Sequence, residues 1–191
     1  MSRRTLTVLI DGLLIDDGAM VPPRIGSIVA VVLEFTETFE PSREAMTVDG
    51  VLDLDPTPGF ERALDSSDEH RYWTGDLYGD GWRASWRGDR PRSGPVTLTG
   101  RLCHWYRLSY NPDSVVRGRV ARMQVVSIPY HAPAGDRWEL MPGEPHRYRD
   151  VEVAPRRFDK QALLFGSPEV DVIIHGEIGL LVELDLDVQE R

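Results

Sequence analysis

The chain has 191 residues, a formal net charge of −9, 41% apolar and 28% charged residues, a balance that suits a folded globular protein and excludes a disordered one. Its single cysteine, Cys103, rules out an intramolecular disulfide and a four-cysteine metal site, and no stretch reaches the ~18 apolar residues of a membrane span. The apolar run Leu6 to Ile10 is stopped by Asp11 short of the ~7 to 15 residues of a signal-peptide core, so a cytoplasmic protein is expected.

The 17 glycines and 14 prolines break the chain too often for an all-α fold, and the length fits one domain with a long internal loop. In chain order, Thr5 to Ile10 reads as a short apolar strand. Ile25 to Phe35 has the near-continuous apolar character of a strand buried on both faces. Thr47 to Leu54 reads as a strand pair around the Asp49-Gly50 turn signal. Residues 56–81, rich in acids, Gly and Pro, are expected to form the long acidic loop, with a short helix at Phe60 to Asp65.

The second half alternates more clearly. In "WRASWR", Trp82, Ala84 and Trp86 share one side and Arg83, Ser85 and Arg87 the other, which predicts a core-facing Trp pair beneath a wet Arg row. From Val96 to Tyr110 the even positions form the core face, with His104 as a satisfied core histidine. The odd positions put Arg101, Cys103, Trp105 and Arg107 on the wet face. Along "VVRGRVARMQVVSIPY" the apolar phase slips by one after Val120, which predicts a β-bulge near Ala121 and Arg122. In the last strand Ile178, Leu180, Val182, Leu184 and Leu186 point one way and Glu177, Glu183, Asp185 and Asp187 the other, an acidic stripe that could lie against Arg117 and Arg119. A mostly β fold follows: a partly open β-barrel or curled antiparallel sheet with short helical turns.

Catalytic and cofactor motifs are lacking. Asp53-x-Asp55-x-Thr57 has the spacing of a phosphotransferase nucleophile, but the alternating βα pattern that chemistry needs is absent, and Lys160 is the sole lysine. The histidines His70, His104, His131, His146 and His175 form no metal-ligand spacing, and neither metal nor cofactor is expected. A lone Cys103 beside Arg101 would have its thiolate favoured by the arginine, yet no base is placed within reach.

Charge is unevenly distributed. Residues 1–80 hold 6 Arg and 16 acids, residues 81–157 hold 14 Arg and 7 acids, and residues 158–191 hold 2 basic residues and 8 acids. Either the acidic ends neutralise the basic middle within the fold, or the middle is a surface for an anion. The sharpest surface candidate is Arg101, Trp105 and Arg107, where an aromatic and two guanidinium groups share a face. Arg83, Arg87, Arg117 and Arg119 are further candidates.

The segments "TVLIDG", "PPRIGSIVAVVLEFTE", "GRVARMQVVSIPY", "RRFD" (156–159) and "IGLLVELDLDV" together resemble a family of small proteins from high-GC Gram-positive bacteria, a family with no assigned activity. The resemblance implies one domain in a bacterial cytoplasm and no particular chemistry. The expected function is a non-catalytic binding module, an acidic inhibitor or immunity-like partner of a basic protein. The alternative is single-stranded nucleic-acid binding through the basic-aromatic strand face. A third reading is a hydrolase or transferase assembled from scattered His, Asp and Cys103.

Overall fold

The computed structural model describes residues 4–38, 42–62, 69–105, 115–131, 138–141, 143–159 and 173–187. Twelve strands and one short helix follow one another among them. They are β1 (Thr5–Asp11), α1 (Gly12–Asp16), β2 (Ile28–Val32), β3 (Glu34–Glu37), β4 (Met46–Leu54), β5 (Gly59–Arg62) and β6 (Glu69–Gly79). The second half adds β7 (Trp82–Gly88), β8 (Gly94–His104), β9 (Val115–His131), β10 (Glu139–Leu140), β11 (Arg147–Asp150) and β12 (Ile173–Asp185). Among the described residues no helix is long and apolar enough to cross a membrane.

The β-barrel is present: β8, β3, β7, β6 and β4 pair in a ring that closes through β4 and β8. From that ring a sheet continues outward through β1, β12 and β9. Strand β8 is the hinge of this plan. Its first half pairs with β4 from Gly94 to Gly100, and its last residues, Leu102 to His104, pair with β1. Most pairings are antiparallel, but β1 with β8 and β3 with β7 are parallel.

Tight closure explains why glycine stands where β8 changes neighbours. A Cβ on Gly100 would lie 2.3 Å from the Thr36 carbonyl and 2.6 Å from the Phe35 ring. Only a residue without a side chain lets the strands approach that closely.

The expected Trp pair is in the core. Strand β7 alternates strictly, with Trp82, Ala84 and Trp86 buried and Arg83, Ser85 and Arg87 half-buried on the outside. Trp86 donates its indole N–H to Glu37 at 3.1 Å, satisfying the one polar atom it brings inside. The main core fills the barrel and runs on beneath β1, β9 and β12 through Val8, Ile10, Val120, Met123, Leu180 and Leu184. The expected bulge is present too. Glu183 faces Arg122 but Leu184 faces Val120, so Ala121 is the extra residue that restores the apolar phase.

Several local expectations are corrected. Gly50 lies inside β4, opposite Val96, and makes no turn. In residues 56–81, expected as a loop, 59–62 and 69–79 are strands. Asp76 of β6 is tolerated there because it is on the outer face, while the neighbouring Leu77 is fully buried. Residues 60–62 of the helix expected at 60–65 are accordingly in a strand, and 63–65 lie outside the described residues. Ile25 to Phe35 is two strands that part at Leu33, and Ile28 and Ala30 of β2 are exposed, so only one face of β2 is buried.

In "RRFD", Phe158 is buried against Gly12 of α1, and its backbone N–H donates to Asp16 at 3.0 Å. The acidic stripe of β12 runs alongside β9, where Arg119 is the register partner of Asp185, and further arginines meet it as well. Arg122 lies 3.7 Å from Glu183 and Arg149 lies 2.8 Å from Glu177. Arg119 also donates to the Gly26 carbonyl at 2.8 Å.

Candidate binding sites

The odd face of β8 changes character along its length. Thr97 and Thr99 are exposed, as alternation predicts, but Arg101 is half-buried and Cys103 is 1% exposed. The sheet beyond β1 covers this end. Leu9, Cys103, Val126 and Leu181 form a second small core on the face opposite the main one, with Tyr148 and Ile178 packed against it. Ile178, expected to share the side of Leu180, sits at a register irregularity between Glu177 and Gly179 and joins this second cluster.

Burial reverses the expectation for the cysteine. Desolvation first, then the nearby Glu34 carboxylate, pushes the Cys103 thiol up to about 12, and Arg101 only partly opposes this. At neutral pH the group is an inert thiol. His104 behaves as expected of a core histidine: its Nδ1 is 3.0 Å from the Val32 carbonyl, and burial holds its pKa below the usual value.

Above the second core lies a cavity of about 610 Å³, within the usual ~300–1,000 Å³ of small-ligand sites. Arg101 and Trp105 from the end of β8 line it, together with Arg43, His146 and Tyr148. The apolar part of the wall is Ile128 of β9, Leu140 of β10, Met141 and Ile178. The turn after β10 shapes the rim: Met141 N–H donates to the Pro129 carbonyl, and Gly143 takes a φ of 82° that a side chain would disfavour. Trp105 is 38% exposed; Met141, Gly143, Glu144 and Pro145 line the same cavity.

At the polar end stands a carboxylate the sequence did not single out. Glu44 is 2% exposed, and its Oε1 accepts from His146 Nδ1 at 2.8 Å and from the Tyr148 hydroxyl at 2.7 Å. Burial pushes its pKa up, but the hydrogen bonds from His146 and then Tyr148, with the nearby Ser42 hydroxyl third, outweigh that and hold it below the ordinary carboxylate value. The Ser42 contribution is one of proximity, because neither its hydroxyl nor Glu44 Oε2 makes a hydrogen bond of good geometry. An ionised carboxylate only accepts, so Nδ1 of His146 carries a proton. Burial, and then the same carboxylate, raises the Tyr148 pKa well above the usual phenol value.

Two guanidinium groups flank this unit. Arg43 stacks over the Tyr148 ring at 5.1 Å, and both Arg43 and Arg101 act electrostatically on the Tyr148 hydroxyl. Arg101 Nε is buried without a hydrogen-bond partner among the described residues. Glu144 also lines the cavity, as an exposed carboxylate.

The structure thus brings Arg101 and Trp105 together, while Arg107 lies outside the described residues. The other candidate arginines are elsewhere. Arg83 makes a two-pronged pair with Asp76, at 3.0 and 2.6 Å, and Arg87 stacks on Tyr72 at 3.9 Å. Arg117 and Arg119 are on the first half of β9, beside β2.

A second surface is the outer wall of the barrel. Val51 of β4 and Tyr78 of β6 are register partners, 51% and 40% exposed. The exposed carboxylates Asp49 and Asp53 share the outward side of β4 with Val51. Asp49 accepts from Thr97 at 2.6 Å and Asp55 from Thr74 at 2.5 Å, which fixes the acidic row on the strand face. Among the described residues no group of three His, Cys, Asp or Glu side chains could hold a metal ion. No protein-family model matches the chain, and no curated protein and no solved structure matches it.

Proposed function

We propose that the protein is a non-catalytic binding module that docks a basic partner protein on the outer wall of its barrel. The observation that carries this reading is the apolar pair Val51 and Tyr78, exposed side by side between the carboxylates Asp49 and Asp53. An aromatic centre within a charged rim is the composition of an interaction patch, and the acidic rim selects and steers a cationic partner. The excess of acid over base in the first 80 residues supports the same sign of partner. The internal pairs Arg83–Asp76, Arg92–Glu37 and Arg122–Glu183 also agree with it, because they neutralise part of the basic middle within the fold.

A photo-crosslinking residue placed at Tyr78 tests the reading in the cells the protein comes from. A reproducible adduct with one basic protein, lost in Asp49→Asn/Asp53→Asn, is expected. The absence of an adduct, or one indifferent to the two aspartates, overturns it.

A second reading is single-stranded nucleic-acid binding at the cavity mouth, favoured by the exposed Trp105 beside Arg101. It requires a fluorescence anisotropy rise with a labelled oligonucleotide at low salt that disappears in Trp105→Ala. A flat titration removes it.

A further inference from the structure

We propose that the cavity between β8, β9 and β11 is a binding site for a small molecule with a flat apolar body and one anionic group, a carboxylate or a phosphate monoester. The site is separate from the barrel wall proposed to dock a partner, so either assignment can fail alone.

Charge gives the first argument. Arg4, Arg83, Arg92, Arg122 and Arg149 all stand within 4 Å of a carboxylate. Arg43 and Arg101 form no such pair among the described residues, although both line a cavity with a buried carboxylate nearby. Glu44 Oε1 takes two hydrogen bonds, from His146 and Tyr148, and its Oε2 has no hydrogen-bond partner among the described residues. Its charge sets the orientation of those two groups and leaves the guanidinium groups for an anion from outside. Arg101 is half-buried and its Nε has no hydrogen-bond partner among the described residues, an unfavourable arrangement that a bound carboxylate or phosphate corrects, with the exposed Arg43 adding charge at the rim.

Shape gives the second. Opposite the cationic end the wall is Ile128, Leu140, Met141 and Ile178, with the Trp105 indole at the mouth. Side chains of this kind hold a flat apolar body by contact and stacking, and a volume of about 610 Å³ accommodates a two-ring compound. Glu144, exposed at the rim, opposes an anion and so limits affinity.

The test is calorimetric titration of the whole protein with 1-naphthoate, 1-naphthyl phosphate and the neutral isostere 1-naphthamide. A charge-assisted contact contributes roughly 1.5–3 kcal/mol, so one of the two anions is expected to bind about 10- to 100-fold tighter than the amide. The tighter of the two identifies the headgroup. Arg101→Gln is expected to bring that ratio close to one, Trp105→Ala to weaken all three compounds together, and Glu144→Gln to tighten the anions only. Arg43→Gln, at an exposed position, provides the same charge test should Arg101→Gln not fold. Equal binding of amide and anions, no binding of any of the three at millimolar concentration, or an anion preference that survives both arginine variants overturns the proposal.

Discussion

Removing the Glu44 carboxylate tests whether the polar end of the cavity is held by that one group. In Glu44→Ala the His146 Nδ1–H and the Tyr148 hydroxyl lose their common acceptor. Hydrogen bonds to a charged group contribute about 1.5–3 kcal/mol each. Both donors border the cavity, where water partly replaces the lost acceptor, so the low end of the sum applies, about 3 kcal/mol. For a chain of this length that corresponds to a fall in Tm of roughly 6–12 °C. Glu44→Gln keeps one acceptor oxygen and is expected to lose about half as much. Because the folded carboxyl titrates below its ordinary value of 4.5, its contribution is complete above that pH and fades as the pH falls through the lower folded value. The stability gap between the native protein and Glu44→Gln, from urea unfolding, should therefore be full at pH 7 and shrink below about pH 4.5. A Glu44→Ala protein within 1 kcal/mol of the native one at pH 7, or a gap that widens in acid, refutes the account.

Three other outcomes follow from burial and contact geometry. With a thiol pushed up to about 12, Cys103 should stay unlabelled by a disulfide reagent at pH 8 in the folded protein and react at once in denaturant; rapid native labelling would place it outside the second core. Gly100→Ala sets a methyl group 2.3 Å from the Thr36 carbonyl and should cost about 1–3 kcal/mol through overpacking, measured by chemical unfolding; a neutral result would mean the barrel closes less tightly at that point. Arg83→Ala breaks a pair whose side chains are 23% and 30% exposed, and a thermal melt should show a loss no larger than about 1 kcal/mol.

What the sequence made legible was what depends on periodicity within one strand. The two-residue period separated the tryptophans of β7 from its arginines, and the phase slip in β9 located the bulge at Ala121 to within a residue. The same rule put Cys103 in water, because alternation assigns a face and says nothing about what covers it. The cover comes from Leu9, Val126 and Leu181, on strands that only the tertiary pairing brings together. The Asp49-Gly50 signal failed for a related reason. A glycine that permits a turn also permits close approach within a strand, and a Cβ on Gly50 would stand 2.6 Å from the Tyr78 carbonyl. Glu44 and His146 are 102 positions apart, and neither has a local pattern that marks it as the other's partner.

The course of β8 explains why a cavity forms at this place. Up to Gly100 its edge is bonded to β4, and from Leu102 onward it is bonded to β1. β4 begins at Met46, opposite Gly100, so the chain immediately before it, Ser42 to Ala45, has no place on that edge. There it carries Glu44 to Tyr148 and His146, beyond the second core. A strand shared by a closed barrel and an open sheet must have such a fork, because two neighbours cannot bond the same edge at the same residues. The fork admits a hydrogen-bonded carboxylate on one side and leaves Arg101 of the same strand, and Trp105 just beyond its end, lining the space it opens. The binding residues are therefore placed by the topology of β8, and a change that preserves every side chain of the cavity but shifts the β4–β8 register, such as deletion of Ala45, should abolish ligand binding while the apolar content of the core is unchanged.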